Sequence, residues 1–204
     1  MRTVTIIYFD YLYSKQPSFL TLTKQNIETL IVLCKKGNQL AQMEVYNRYQ
    51  AAMYNVAARI VKDTADAEDI MQESFITAFS KLNMFKGEAT FGSWLKRIVI
   101  NNSISHYKKN QRMVMLDEER ISDQVDETSF DGISEDDYTN TKAAQVMNCM
   151  DSINKNYKQI LTLHLIEGYD YEEICEILHI SYANCRTLIS RAKESLRNKL
   201  LVTT

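Results

Sequence analysis

The side chains best suited to binding chemistry are sorted by charge along the chain. Residues 66–75 contain the carboxylates Asp66, Glu68, Asp69 and Glu73, with Gln72 among them, and no base. Carboxylates repel phosphate, so the exposed face they build suits a protein partner. From Lys96 to Arg112 the sign reverses: Lys96, Arg97, Lys108, Lys109 and Arg112 occur without an acid, and their free face attracts a polyanion. A third set lies between Ser181 and Lys199, where five bases face Glu194 alone. There Arg186 and Arg191 can bond a guanine edge bidentately and Asn184 an adenine edge. Tyr182 and Thr187 can touch thymine methyls or phosphates, and Lys193 adds a point charge. The chemistry on offer is recognition of a protein at one place and of nucleic acid at two.

Covalent chemistry has little support. His106 sits among bases and His164 in an apolar run, and neither adjoins a nucleophile and an acid in a catalytic arrangement. Cys175 and His179 are four apart, a spacing that can ligate zinc, but no second pair complements them. Cys34, Cys149, Cys175 and Cys185 form neither a CxxC motif nor a dense disulfide framework, which points to small core residues in a reducing, cytoplasmic setting. We expect no enzyme, no metal and no cofactor.

The elements that must position these groups are helices. One Pro and five Gly in 204 residues are too few for the turns of a sheet protein, while Leu, Ile, Ala, Lys, Glu and Met recur at helical spacing. A short helix over residues 26–36 stops at Gly37, and Asn38 can cap a second reaching Val61 with the stripe Val45, Tyr49, Met53, Val56 and Ile60. Asp66 can cap a third, whose inward positions are Ile70, Ser74, Phe75, Ala78 and Leu82. After a loop over residues 83–90, Phe91, Trp94, Leu95, Ile98 and Asn102 predict a fourth helix.

Residues 113–142 lack sustained periodicity. Within them, residues 117–137 hold ten acids against Arg120 alone, a net of −9 that leaves the rest of the chain at +7 beneath the overall −2. Such a segment cannot bury enough apolar surface to offset the entropy of ordering, and reads as an acidic, flexible linker. Fields act over about 8 Å at cellular salt, so this segregation says more about partners than the total does. The helical period returns from Ala143 through Val146, Met147 and Met150, and again over residues 160–165 until Gly168. Asp170 with Glu173 is a capping-box signature, Ile174, Ile177 and Leu178 give a buried side, His179 and Ile180 a turn, and Ser181 caps a helix to about Leu200. Two helices joined by a tight turn result, the second with Cys185, Ile189, Ala192, Leu196 and Leu200 inward.

The expected fold is therefore all-α: a first domain over residues 23–112, a linker over 113–142 and a helix-turn-helix domain over 143–204. Residues 1–22 form an N-terminal extension that fits a short strand, an unstructured arm or sequence ahead of the true start equally well. Its apolar run from Val4 to Tyr13 is interrupted by Asp10 and is shorter than the roughly 20 residues that span a bilayer, so membrane insertion is not expected.

Taken together, the two blocks resemble the bacterial RNA polymerase sigma factors of the extracytoplasmic-function type, over about residues 24–112 and 143–200. In the first block the resemblance is carried by Asp66-Ala67-Glu68-Asp69-Ile70, Gln72-Glu73, Phe75, Phe85-Lys86-Gly87, Phe91, Trp94-Leu95, Arg97-Ile98, Asn101 and Arg112. In the second it is carried by Glu167-Gly168-Tyr169, Glu173-Ile174, Leu178, Ile180-Ser181 and Arg191-Ala192-Lys193. It implies that Asp66, Glu68, Asp69, Gln72 and Glu73 dock on core RNA polymerase. It also implies that the loop over 83–90, with Phe85 and Lys86, and the basic helix, with Lys96, Arg97, Asn101, Lys108, Lys109 and Arg112, open the minus-ten promoter element and hold its single non-template strand. The helix from Ser181 would then read the duplex minus-thirty-five element through Tyr182, Asn184, Arg186, Thr187, Arg191 and Lys193, and the linker would thread toward the polymerase active centre. An anti-sigma factor is a further partner the resemblance admits. The chain departs from the pattern at Ser105, where an Asp is common, at Asn154, where a Pro is usual, and at Asn184-Cys185-Arg186 in place of Thr-Val-Lys.

Two other readings stay open on sequence alone. A helix-turn-helix regulator that binds operators without polymerase would act as a dimer on paired half-sites. An adaptor binding only proteins through the acidic helix would leave the +7 remainder without a role.

Overall fold

The computed structural model describes residues 22–118 and 141–203, with side chains over 22–110 and 143–202. The expectations for residues 1–21 and for the linker over 119–140 lie outside these. Every regular element among the described residues is helical, and the residues fall into two compact units. One takes those up to Val56 together with Glu68–Val99, and the other takes Ala57–Ala67 with those from Ile100 onward.

In the first unit, α1 (Ile27–Lys35) starts where the Asn26 side chain accepts a hydrogen bond from the Thr29 N–H at 2.9 Å, and it buries Leu30, Ile31 and Cys34. The Asn38 carboxamide accepts from Ala41 at 3.0 Å and opens α2 (Gln39–Val61), which buries Val45, Met53 and Val56. Arg48 fixes the chain ahead of α1: its guanidinium pairs with the buried Glu44 at 2.6 Å and donates to the carbonyls of Leu22, Thr23 and Gln25. Ile70, Ser74, Phe75 and Ala78 of α3 (Thr64–Ser80) are buried as the periodicity requires, as is Leu82 in the short 3-10 turn that follows (Leu82–Met84). Phe75 packs on Tyr46 at 4.8 Å between ring centroids, and Phe91 on Tyr49 at 5.4 Å.

Two local expectations are corrected. The cap of α3 is Asp63, whose carboxylate accepts from the Asp66 N–H at 2.9 Å, and not Asp66 itself. Lys62, in a left-handed conformation at φ 68°, turns the chain out of α2 and leaves Asp63 as the first residue able to face the next helix. The fourth helix, α4 (Phe91–Glu118), extends six residues past the expected boundary, over a stretch in which Met113, Met115, Leu116 and Glu118 are residue types of good helix propensity. Its buried line is Leu95, Val99, Ile100, Ser103 and Ile104, while Trp94, Ile98 and Asn102 are only half-buried.

The C-terminal part of the second unit holds α5 (Thr141–Asp151), α6 (Lys155–Leu161), a π-turn (Thr162–Ile166), α7 (Tyr171–Leu178) and α8 (Tyr182–Thr203). Asn154 caps α6 by accepting from the Asn156 N–H at 2.9 Å, a role its carboxamide performs as a proline could not. Ile153, Ile160, Leu161, Leu163, Ile174, Ile177, Cys185, Ile189, Ala192 and Leu196 make the core. At about 1.5–3 kcal/mol for each large side chain, this burial is what holds a seven-residue helix that could not persist alone. In the same unit Arg59 pairs with Glu167 at 2.8 Å, and the Glu167 side chain is 4% exposed. No helix among the described residues is long and apolar enough to cross a membrane.

Candidate nucleic-acid interface

The acidic face is built by α3. Its apolar stripe turns Ile70, Phe75 and Ala78 inward, which leaves Glu68, Asp69, Gln72 and Glu73 exposed on the opposite side. Gln72 donates to Glu68 at 3.3 Å, and the face continues through Ile76, 70% exposed. An apolar side chain set among carboxylates supplies the contact area that charges alone lack. Asp66 stands apart from this group: it is half-buried, and its carboxylate lies 3.7 Å from His106 Nε2.

The loop over residues 83–90 is anchored by aromatic packing. Phe85 follows the 3-10 turn and is half-buried, its ring 5.7 Å from Phe91 and 5.3 Å from Trp94 between centroids. Lys35 donates to the Phe85 carbonyl at 3.1 Å and lies 6.0 Å from its ring centroid. Phe85 is thus anchored by its neighbours, while every other residue of the loop is exposed, Met84, Lys86 and Glu88 carrying its largest exposed side chains. Gly87, at φ 81°, makes the turn back toward α4, whose first amides are capped by Thr90 through its hydroxyl at 3.2 Å from Ser93 N.

Along α4, at about 100° per residue, Arg97, Asn101 and Lys108 line one edge, while Lys96 points roughly 100° or more away from it. Lys96 and Arg97 are half-buried and engaged in further interactions, whereas Asn101, Lys108 and Lys109 are exposed. Lys108 donates to the Leu178 carbonyl at 3.3 Å. Arg112 lies within the helix, but its side chain is outside those described.

The helix-turn-helix forms as its caps dictate. Asp170 accepts from the Glu173 N–H at 2.8 Å and Glu173 from the Asp170 N–H at 3.0 Å, closing the capping box of α7. His179 takes the left-handed corner at φ 58°, and Ser181 accepts from the Asn184 N–H at 3.3 Å to open α8. Cys185, Ile189, Ala192 and Leu196 are buried, so Tyr182, Asn184, Arg186, Thr187 and Arg191 are left exposed. Burial, with the neighbouring Cys175, pushes the Cys185 thiol up to about 11, so it stays a neutral packing group. Tyr182, Ala183, Arg186, Thr187, Ser190 and Arg191 line a shallow depression on this face. Ala183 and Ser190, with small side chains and no strong donor, give no signal in the sequence that they line it. Lys193 is half-buried, and its ammonium lies 3.3 Å from His164 Nε2, a partner 29 residues away that no local pattern reveals.

Both blocks of the chain match families of known proteins. The family model for sigma-70 region 2 matches residues 45–113, and that for sigma-70 region 4 matches residues 143–196. The chain is 29% identical over 184 residues to the ECF RNA polymerase sigma factor SigW of Bacillus subtilis, a match covering 85% of this chain and 96% of that protein. It is 26% identical over 182 residues to the ECF RNA polymerase sigma-E factor of Escherichia coli K12, covering 85% of this chain and 93% of that one. In fold it is similar to the sigma factor RpoE of Bartonella quintana, solved in complex with the anti-sigma factor NepR, at a TM-score of 0.57 and 18% identity over 79% of this chain and 98% of that one. It is also similar to CnrH in complex with the cytosolic domain of CnrY, at a TM-score of 0.52 and 21% identity over 86% and 97%. With both sigma regions present in order, and every regular element among the described residues helical, this protein belongs to the RNA polymerase sigma factors of the extracytoplasmic-function type.

Proposed function

We infer that this chain binds core RNA polymerase and directs it to promoter DNA, where it recognises and melts the start site and so initiates transcription. The observation that carries the reading is the succession, in one polypeptide, of region 2 at residues 45–113 and region 4 at residues 143–196. A regulator acting without polymerase has no use for region 2, so the operator-binding alternative is not favoured. The chain supplies binding surfaces to the enzyme that makes RNA and is not itself an enzyme. It acts where the polymerase does, in the cytoplasm.

The residue roles follow from exposure and charge. Glu68, Asp69, Gln72 and Glu73, with Ile76, form the polymerase-docking face, and Asp66 serves it from the edge. Lys86, Arg97, Asn101, Lys108, Lys109 and Arg112 track the minus-ten strand, with Lys96 flanking, and Phe85 holds the loop in shape. Ser181, Tyr182, Asn184, Arg186, Thr187, Arg191 and Lys193 engage the minus-thirty-five duplex, the helix N-terminus entering the major groove first. The domains are those of the sequence reading, 23–112 and 143–204 about an acidic linker, with α4 extending into the linker. An anti-sigma factor is a further proposed partner, since the Bartonella quintana relative was solved bound to one.

The test is reconstitution: purified chain is added to sigma-free core polymerase with a promoter library, and runoff RNA is sequenced. Transcripts from one defined promoter class support the reading, and core enzyme that neither binds the chain nor initiates specifically overturns it.

A further inference from the structure

We propose that His164 is a positioning residue that holds Lys193 ready for a backbone phosphate at the edge of the recognition helix, an inference that rests on the sigma-factor reading. The π-turn presents the ring. Its wide loop, closed by the Glu167 N–H on the Thr162 carbonyl at 2.9 Å, lets the chain double back so that the Tyr169 carbonyl lies 3.1 Å from His164 Nδ1. A carbonyl only accepts, so Nδ1 carries the proton and Nε2 keeps a lone pair. Toward that lone pair points the Lys193 ammonium, at 3.3 Å.

The ring's orientation is fixed from its other side. His164 meets Tyr171 edge-on at 5.2 Å between centroids, and Tyr171 meets Tyr182 at 6.1 Å, so an aromatic ladder runs from the π-turn to the first residue of α8. Lys193 lies on the edge of α8 that begins with Tyr182 and Arg186, two turns or roughly 10 Å beyond Arg186 along the axis. In a helix entering the major groove end-on, the first turns meet bases, and a cation two turns further back along the edge is at the height of the flanking strand.

The nature of the tether matters. A carboxylate partner would neutralise Lys193, whereas a neutral imidazole spends one of its three N–H bonds and leaves its charge whole. Glu194, the adjacent acid, is occupied by Arg197. A long side chain otherwise free among many rotamers is thereby confined before DNA arrives, which reduces the ordering cost of binding.

The experiment uses full-length chain assembled with core polymerase and a promoter selected from a random library by the wild-type complex, with affinity measured from about 0.05 to 0.3 M salt. Lys193→Ala should lower the salt-dependence slope by about one. His164→Leu, which keeps bulk but removes the acceptor, should weaken binding about three- to tenfold and add little to Lys193→Ala in the double variant, while His164→Gln, whose amide oxygen can replace Nε2, should restore most of the loss. A slope unchanged in Lys193→Ala overturns the proposal whatever the His164 variants do. So do additive effects in the double variant, or a Gln variant that folds and remains as weak as Leu. A wild-type complex that selects no promoter overturns the sigma-factor reading beneath it, whereas the preceding outcomes, seen with an active wild type, sink only the role of His164.

Discussion

Asp170 and Glu173 satisfy each other's backbone amides, at 2.8 and 3.0 Å, so the first helix of the helix-turn-helix begins on a closed pair of hydrogen bonds. Eight residues make a helix too short to persist on propensity, and its start depends on this pair. Asp170→Ala should cost about 1 kcal/mol of stability, seen as a lower urea midpoint, and should weaken minus-thirty-five duplex binding in proportion to the unfolded fraction.

Charge reversal on the exposed acidic face should separate docking from folding. Glu73 is exposed on α3 opposite the buried stripe, so Glu73→Lys should leave the circular dichroism spectrum and melting curve unchanged while reducing affinity for core polymerase by tenfold or more. A pull-down titration that returns wild-type affinity would remove Glu73 from the docking face.

Arg191 lies exposed at the far side of the depression on α8. If it meets a phosphate, Arg191→Ala weakens promoter binding nearly equally for all sequences and lowers the salt slope by about one; if it reads a base, the loss is confined to one position of the site. Affinity measured on single-base variants of the promoter at two salt concentrations distinguishes the two.

Acid should weaken the second unit through Asp151. Burial alone would raise its carboxyl, but the hydrogen bond and charge of Lys158, joined by Lys62, outweigh it and hold it below its ordinary 3.8. A group lowered on folding contributes stability above its unfolded value and loses that contribution as pH falls through the folded one. The urea midpoint of the wild type should therefore drop more steeply than that of Asp151→Asn as pH falls below about 4. The side chain is half exposed, so the difference is small.

Much of the fold was legible because the helix ends are signalled by side chains that do one local job. Asn38, Asp170 and Ser181 each cap as expected, and the stripes of α3 and α8 are buried as their spacing predicts, except that Leu200 near the end of α8 is only half-buried. Where two residues could serve, position in space decided. Asp63 and Asp66 are equally good caps on paper, and the left-handed turn at Lys62 selects the first. On α4, Trp94, Ile98 and Asn102 repeat as regularly as Leu95 and Val99, and only packing shows which line faces inward. The same limit governs the site. Exposure of Glu73, Arg186 and Arg191 follows from periodicity, but the packing of Phe85 on Trp94 and the tether of Lys193 to His164 depend on the meeting of segments that share no local code.

The corner at His179 decides how the helix-turn-helix is articulated. A histidine at φ 58° sits in a region that glycine enters freely and other residues at some cost, and two amides, those of His179 and Ile180, clasp the Cys175 carbonyl to keep it there. The turn between α7 and α8 is held by that clasp rather than left as a pliable joint. On the proposed reading, a helix-turn-helix articulated in this way offers its exposed face as one rigid template, which would select DNA by fit and have little capacity to adapt to a poor site.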